Sequence, residues 1–212
     1  MTNVLVVKAN NRPDGVSTKM YETFVAEAAK VEGLNVTTFD VFEENMPYFG
    51  QDLFNAFGKL QAGEKLTEIE TASLAAMNKS REALTAAEVV VFAFPLWNQT
   101  IPAALQSFID YTYGAGYTFK YNEQGQLVSL MTDKKYIVLN ARGGNYSSPE
   151  MNAMEMAVNY INKVVGGVFG MQKQDEVIIE GHASSQVDAD QIIVEGLEKV
   201  KAAAQKLATV TA

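Results

Sequence analysis

The strongest constraint on how this chain folds is a set of short, nearly unbroken apolar runs separated by stretches with helical period. Asn3 to Lys8 (NVLVVK) and Glu88 to Phe94 (EVVVFAF) are rich in β-branched residues and show no polar alternation. That is how strands covered on both faces read. Leu34 to Phe39, Lys135 to Asn140 and Val177 to Glu180 read as three more strands. Between them, helices are predicted from Ser17 to Val31, with Met20, Phe24, Ala28 and Val31 on one face, and from Thr67 to Ala86. Further helices follow from Ala103 to Tyr113, with Leu105, Phe108 and Ile109 inward, and through Met154, Val158, Ile161 and Val165. The last runs from Val187 to Leu207, with Ile193, Leu197, Val200, Ala204 and Leu207 inward. Asp40 to Leu66, broken by Pro47, Gly50, Gly58 and Gly63, reads as an excursion with a short helix, and Tyr117 to Leu130 as a small hairpin.

Five strands alternating with helices imply an α/β fold, a doubly wound five-stranded parallel sheet with helices on both faces and right-handed crossovers. At 212 residues, a single domain over 1–212 is expected. Such sheets bind ligands beyond the C-terminal ends of their strands. The loops after the first, third and fourth strands are therefore the candidates for chemistry.

Composition narrows what that chemistry can be. Lys and Arg number 17 against 25 Asp and Glu, a net charge of −8, which opposes approach to nucleic acid or to an anionic membrane surface. The chain has no cysteine and one histidine, His182, so disulfides, thiolate catalysis, iron–sulfur clusters and a multi-histidine metal site are excluded within one chain. Redox chemistry would need a bound cofactor. No signal-peptide pattern or long apolar stretch is present, and cytoplasmic residence is the default expectation.

The first loop, Ala9 to Val16, lacks both G-x-G-x-x-G and G-x-x-x-x-G-K-[ST]. It is a small polar loop feeding a helix N-terminus, where free N–H groups and the helix dipole favour a phosphate. Ser17 has two readings, a helix cap or, with Thr18, a hydroxyl donor to that phosphate. Two of the three arginines, Arg12 and Arg142, lie at the same edge, though either alone reads as a solvated surface residue. Trp97, the only tryptophan, follows Pro95-Leu96 in the third loop. It either packs on the rim or, with Leu96, flanks a planar ring whose polar edge meets Asn98. Gly143-Gly144 reads as a turn or as a place where backbone approaches a ligand edge. Tyr117, Phe119, Tyr121 and Tyr146 either roof the site or pack on their own strands. His182 reads as a solvent-facing loop residue near the site's margin.

Several of these segments occur together in one family. Lys8-Ala9-Asn10-Asn11-Arg12-Pro13, Ser17-Thr18-Lys19-Met20-Tyr21-Glu22, Pro95-Leu96-Trp97-Asn98 with Ile101-Pro102, Ala115-Gly116-Tyr117-Thr118-Phe119-Lys120-Tyr121 and Ala141-Arg142-Gly143-Gly144 resemble the FMN-dependent NADH-azoreductases. Ala56-Phe57-Gly58-Lys59-Leu60-Gln61-Ala62-Gly63 in the central segment resembles them too. The resemblance implies a flavodoxin-like fold and a homodimer with a flavin at each of two sites near the interface. It also implies NAD(P)H-dependent reduction of quinones and azo compounds.

Carried over by position, Asn10, Gly15, Val16, Ser17 and Thr18 would hold the FMN phosphate. Leu96, Trp97, Asn98 and Gln99 would line the ring, and Ala141, Arg142, Gly143 and Gly144 its pyrimidine side. Phe119, Tyr121, Asn145 and Tyr146 would border the substrate pocket. Two departures stand out: Gln99 where the family is often apolar, and Gly15-Val16 where some members carry Ser-x. The hydride chemistry would belong to the flavin, with no catalytic side chain required and NADH or NADPH alternating with the acceptor in a ping-pong cycle. The competing class is a flavodoxin-type electron carrier working with protein partners, for which the central segment and hairpin are superfluous. A homodimer is also expected from the apolar clusters around Phe54, Phe57 and Phe108.

Overall fold

A computed structural model describes residues 1–210. Five parallel strands form the sheet: β1 (Thr2–Lys8), β2 (Leu34–Asp40), β3 (Val89–Pro95), β6 (Lys135–Arg142) and β7 (Gln172–Glu180). Their order is β2-β1-β3-β6-β7, so the chain reverses direction across the sheet between β1 and β3. β3 is central and all seven of its residues are buried. Successive residues point to opposite faces, and each face carries its own core. On one, Val4, Val6, Val91, Ile137 and Leu139 pack against Met20 and Phe24 of α1 (Val16–Ala28) and Val200 and Ala204 of α6 (Ala189–Gln205). On the other, Leu5, Val7, Val90, Phe92 and Val138 meet Leu84 of α3 (Glu68–Ala86) and Leu105, Phe108 and Ile109 of α4 (Ala103–Thr112). This is the expected doubly wound architecture.

The central excursion holds α2 (Gln51–Ala62), which packs Leu53 on Ala76, Met77 and Tyr111. The start of α3 is fixed by a reciprocal cap: Thr67 Oγ accepts from the Glu70 N–H, and Glu70 accepts from the Thr67 N–H at 2.7 Å. Lys59 at the end of α2 bonds both Glu70 oxygens, at 2.7 and 2.8 Å, tying the two helices together.

Some expectations are corrected. β7 begins at Gln172, not Val177, because the polar QKQDE segment pairs with β6 from Lys135 onward. An edge strand tolerates such residues, since only part of it must be covered. The helix expected through Met154 is split. A 3₁₀ turn spans Asn152–Met154, α5 covers only Val158–Ile161, and a π-helical turn follows over Asn162–Val168. Glu155 causes the break, its carboxylate accepting the N–H groups of Ala157, Val158 and Asn159 and so starting a new helix. Met154 is consequently exposed, while Val158, Ile161 and Val165 are buried as expected. Phe108, at 1% exposure, belongs to the core, packed edge-on to Phe39 with ring centroids 5.0 Å apart. Of Phe54, Phe57 and Phe108, it is the two on α2 that are exposed, at 54% and 42%.

The hairpin forms as β4 (Phe119–Tyr121) and β5 (Leu127–Ser129), a separate two-stranded sheet. It sits where β3, β6 and β7 begin. Tyr117 Oη donates to the Arg81 carbonyl (2.8 Å), and the Met131 N–H to the Phe169 carbonyl (2.9 Å). Among the described residues no helix is long and apolar enough to cross a membrane.

Candidate active site

The loop after β1 opens with Asn10, a buried amide held at both ends. Its Oδ1 accepts the Arg12 N–H at 2.9 Å, and its Nδ2 donates to Ser17 Oγ. Thr18 Oγ1 donates to the Arg12 carbonyl at 2.7 Å. Gly15, with φ −68° and ψ 139°, is the residue that caps α1, and no side chain bonds that helix end. Ser17 is therefore one residue inside the helix, not its cap. Because Ser17 Oγ already accepts from Asn10, its own hydrogen is free to donate outward. Gly15 is needed by space, not by backbone angle: a Cβ there would stand 2.5 Å from Asn10 Nδ2. The result is a cradle of open N–H groups on which an anion can rest.

The loop after β3 is a tight turn. Trp97 N–H donates to the Thr100 carbonyl (3.0 Å) and Thr100 N–H to the Trp97 carbonyl (3.1 Å). The two residues between, Asn98 and Gln99, both take left-handed backbone, φ 50° and 69°. The Gln99 carbonyl accepts from Met156 N–H at 2.9 Å, which anchors the turn to the segment before α5. The Trp97 ring lies edge-on to Phe42 with centroids 6.2 Å apart.

Arg142, at the end of β6, is not a solvated arginine. It is buried, donating from Nε to Glu180 (2.9 Å) and from Nη2 to Ser147 Oγ (3.1 Å), with Nη1 3.7 Å from Glu155. Glu180 also accepts the N–H groups of Tyr146 (2.9 Å) and Ser147 (3.2 Å). Burial works against ionising Glu180, but its bonds from Ser147 and Tyr146 and the charge of Arg142 outweigh it and hold the carboxyl below the usual range. This network fixes the 143–147 loop. The loop is clamped from behind by the turn after β7, whose Gly181 N–H donates to the Arg142 and Gly144 carbonyls (both 3.2 Å) and whose Ala183 N–H donates to Gly143 (3.1 Å). Gly143 is required by that clamp: a Cβ would lie 2.9 Å from Ala183 Cβ.

Two clefts meet at Trp97. One, of about 270 Å³, is lined by Asn10, Arg12, Gly15, Val16, Ser17, Leu96, Trp97, Ala141, Arg142, Gly143 and His182. The other, of about 790 Å³, is lined by Trp97 and Asn98 with Phe42, Tyr48, Phe49, Gln106 and Asp110 among others. Thus most of the expected cofactor residues share one hollow at the switch point of the sheet. Thr18 lies beneath it, and Gly144 and Asn145 line a shallower adjoining groove. Tyr146 covers the Arg142 guanidinium, 5.7 Å from ring centroid to Cζ. Phe119 and Tyr121 sit with the hairpin at the opposite edge of the sheet, Tyr121 edge-on to Phe119 and Phe119 against Tyr113, which in turn meets Phe169.

Sequence reasoning missed Glu155, Glu180 and the walls of the larger cleft, and it read His182 as facing solvent. His182 is partly covered, and its Nδ1 is buried with no hydrogen-bond partner. Burial lowers its pKa. Two acidic residues flanking the fourth strand's arginine in space leave no mark on local sequence pattern.

The strand order and the phosphate-type cradle at the switch point define a flavodoxin-like protein, and the family model described as "Flavodoxin-like fold" matches residues 2–204. FMN-dependent NADH:quinone oxidoreductase 1 of Bacillus subtilis (strain 168) is 44% identical over 210 residues, covering 97% of this chain and all of the relative. The solved structure of an azoreductase from Bacillus anthracis str. Sterne is also 44% identical, with a TM-score of 0.87 and 97% and 100% of the two chains covered. An FMN-dependent NADH-azoreductase from Bacillus anthracis str. Ames Ancestor, solved with FMN, shares the fold at 24% identity, TM-score 0.86 and coverage of 98% and 100%. The chain belongs to this flavodoxin-like family of FMN-dependent NADH:quinone oxidoreductases and azoreductases.

Proposed function

We propose that the protein is an FMN-dependent oxidoreductase that passes reducing equivalents from NADH or NADPH to quinones and azo compounds. One observation carries the reading: an uncapped helix N-terminus opens into the same hollow as Leu96 and Trp97, so one cleft offers an anion cradle and apolar walls. The residues present fit FMN better than a dinucleotide, because a single terminal phosphate matches a single cradle. The names of the 44% identical relatives support the same cofactor, acceptors and donor.

Bound FMN supplies the acceptance and release of hydride. The protein's part is positional. Val16 and Ser17 N–H groups with the Ser17 hydroxyl hold the phosphate, and Leu96 and Trp97 exclude water from one side of the ring. Asn98 and the backbone at Gly143 address its polar edge. Asn145 and Tyr146 border the place where flat substrates stack. A single stacking position makes the two substrates take turns. Initial rates should therefore give parallel double-reciprocal lines, and NADH alone should bleach the flavin spectrum under anaerobic conditions. Intersecting lines would refute the shared position. No bleaching by NADH or NADPH would favour an electron carrier, a reading that the oxidoreductase names of the relatives do not favour.

We also infer a homodimer in the cytoplasm. Phe54 and Phe57 on the outer face of α2 give an apolar surface for a second copy. Tyr121, 63% exposed at the far edge of the sheet, then borders the substrate pocket of that second copy rather than its own, with the buried Phe119 packed edge-on to it. Light scattering of the flavin-loaded protein at micromolar concentration should give twice the chain mass; a monomer would refute the arrangement.

A further inference from the structure

The chain's one histidine has no role in the chemistry described so far, yet it lines the same cleft as the N-terminus of α1. Its position is set by backbone, because the turn carrying it is bonded to the 142–144 loop on both sides, through Gly181 N–H and Ala183 N–H. The ring shares its hollow with Asn10, Gly15 and Ser17.

The charges around that hollow are already committed. Arg12 reaches into solvent, paired with an equally exposed Asp14 at 3.1 Å. Arg142 is enclosed between Glu155 and Glu180. A phosphate resting on α1 thus meets no buried arginine free of carboxylates, and the enclosed donors left to its oxygens are neutral ones. His182 is such a donor. Nδ1 is shut away with no acceptor within reach, and a proton placed there would be a buried donor without a partner. The neutral ring therefore carries its hydrogen on Nε2, the nitrogen that is not enclosed. Burial acts in the same direction, keeping the ring uncharged to lower pH than a free histidine.

We propose that His182 is a phosphate ligand of the cofactor site, its Nε2–H donating to an oxygen of the FMN phosphate. The assignment rests on the reading that this cleft holds FMN. It makes the turn after β7 a fourth ligand-bearing loop, beside those after β1, β3 and β6.

The test compares FMN with riboflavin, which lacks the phosphate, on flavin-free wild type, His182→Phe and His182→Gln at pH 8. Binding is read by quenching of flavin fluorescence, and folding of each variant by circular dichroism and thermal melting. A hydrogen bond to a charged group is worth enough that His182→Phe should weaken FMN about tenfold or more. Riboflavin affinity should change less than about twofold, and His182→Gln, which keeps an N–H, should fall between. The ³¹P resonance of bound FMN should also move in His182→Gln. Equal loss for FMN and riboflavin, or unchanged FMN affinity in both variants, would overturn the assignment. Should wild type bind riboflavin and FMN equally, the phosphate cradle itself is refuted, a different failure from that of the histidine alone.

Discussion

Gly15→Ala is the sharpest single test of the cradle. The backbone there, φ −68° and ψ 139°, suits alanine without strain, so any effect comes from the added methyl. That methyl would stand 2.5 Å from Asn10 Nδ2, and ordinary contact begins at 3.4 Å, so the amide must retreat by about 0.9 Å. Asn10 has nowhere easy to go: it is buried, bonded to Arg12 N–H on one side and to Ser17 on the other. Over-packing of this kind costs about 1–3 kcal/mol, and a lost buried hydrogen bond about 1 kcal/mol more. The restricted unfolded chain returns about 0.4–1 kcal/mol. The net expectation is a loss of about 1–3 kcal/mol, which for a chain of this size lowers Tm by about 2–4 °C per kcal/mol. FMN affinity should fall with it, since Ser17 is displaced. Gly58→Ala in α2, where a Cβ meets nothing within 4 Å, is the control and should gain about 0.5–1 kcal/mol. Thermal melts of the flavin-free proteins with FMN titrations decide the matter. If Gly15→Ala melts at or above wild type and binds FMN as well, the cradle does not depend on this contact.

Arg142→Met leaves Glu155 and Glu180 without their shared cation, and denaturant unfolding should show a loss of about 3–5 kcal/mol, whereas Lys201→Ala, which removes an exposed pair with Glu198, should leave the unfolding midpoint essentially unchanged. Gly196→Ala on α6 drives a methyl into the Ile179 side chain of β7; circular dichroism melts should show destabilisation by about 1–3 kcal/mol. Glu180, held below the ordinary carboxyl range in the fold, contributes stability that is complete above about pH 4.5 and is lost as pH falls through its lower folded value. Unfolding at stepped pH should accordingly show a flatter acid limb in Glu180→Gln than in wild type.

Where a residue's fate depended on its immediate neighbours, the chain was legible. β1 and β3 lie where their apolar runs lie, because a strand covered on both faces must be apolar throughout. The three candidate loops come together at one cleft, as the topology implies. What failed depended on partners distant in sequence. The QKQDE half of β7 looks like loop until β6 lies beside it, and the split at Glu155 is invisible until its carboxylate is seen to gather three N–H groups. Phe108 falls on the inward face of its helix by pattern and Phe39 encloses it, so it does not join Phe54 and Phe57 on the surface. In the site, Arg142 read as a surface residue because its two carboxylates come from positions 155 and 180. His182 likewise could not be ranked above any loop residue before its buried Nδ1 was known.

The paired left-handed residues of the Trp97–Thr100 turn carry a consequence for selection experiments. Asparagine tolerates that backbone, but glutamine at φ 69° holds it at a penalty of about 1 kcal/mol or more. A saturation library at position 99 sorted for survival of heating should therefore fill with glycine and asparagine. The same library sorted for turnover of bulky acceptors would respond instead to how each residue holds the neighbouring Trp97 and Asn98, because Trp97 lines both clefts and residue 99 lines neither. The two enrichments would diverge at one codon, separating what this position gives to endurance from what it gives to substrate range.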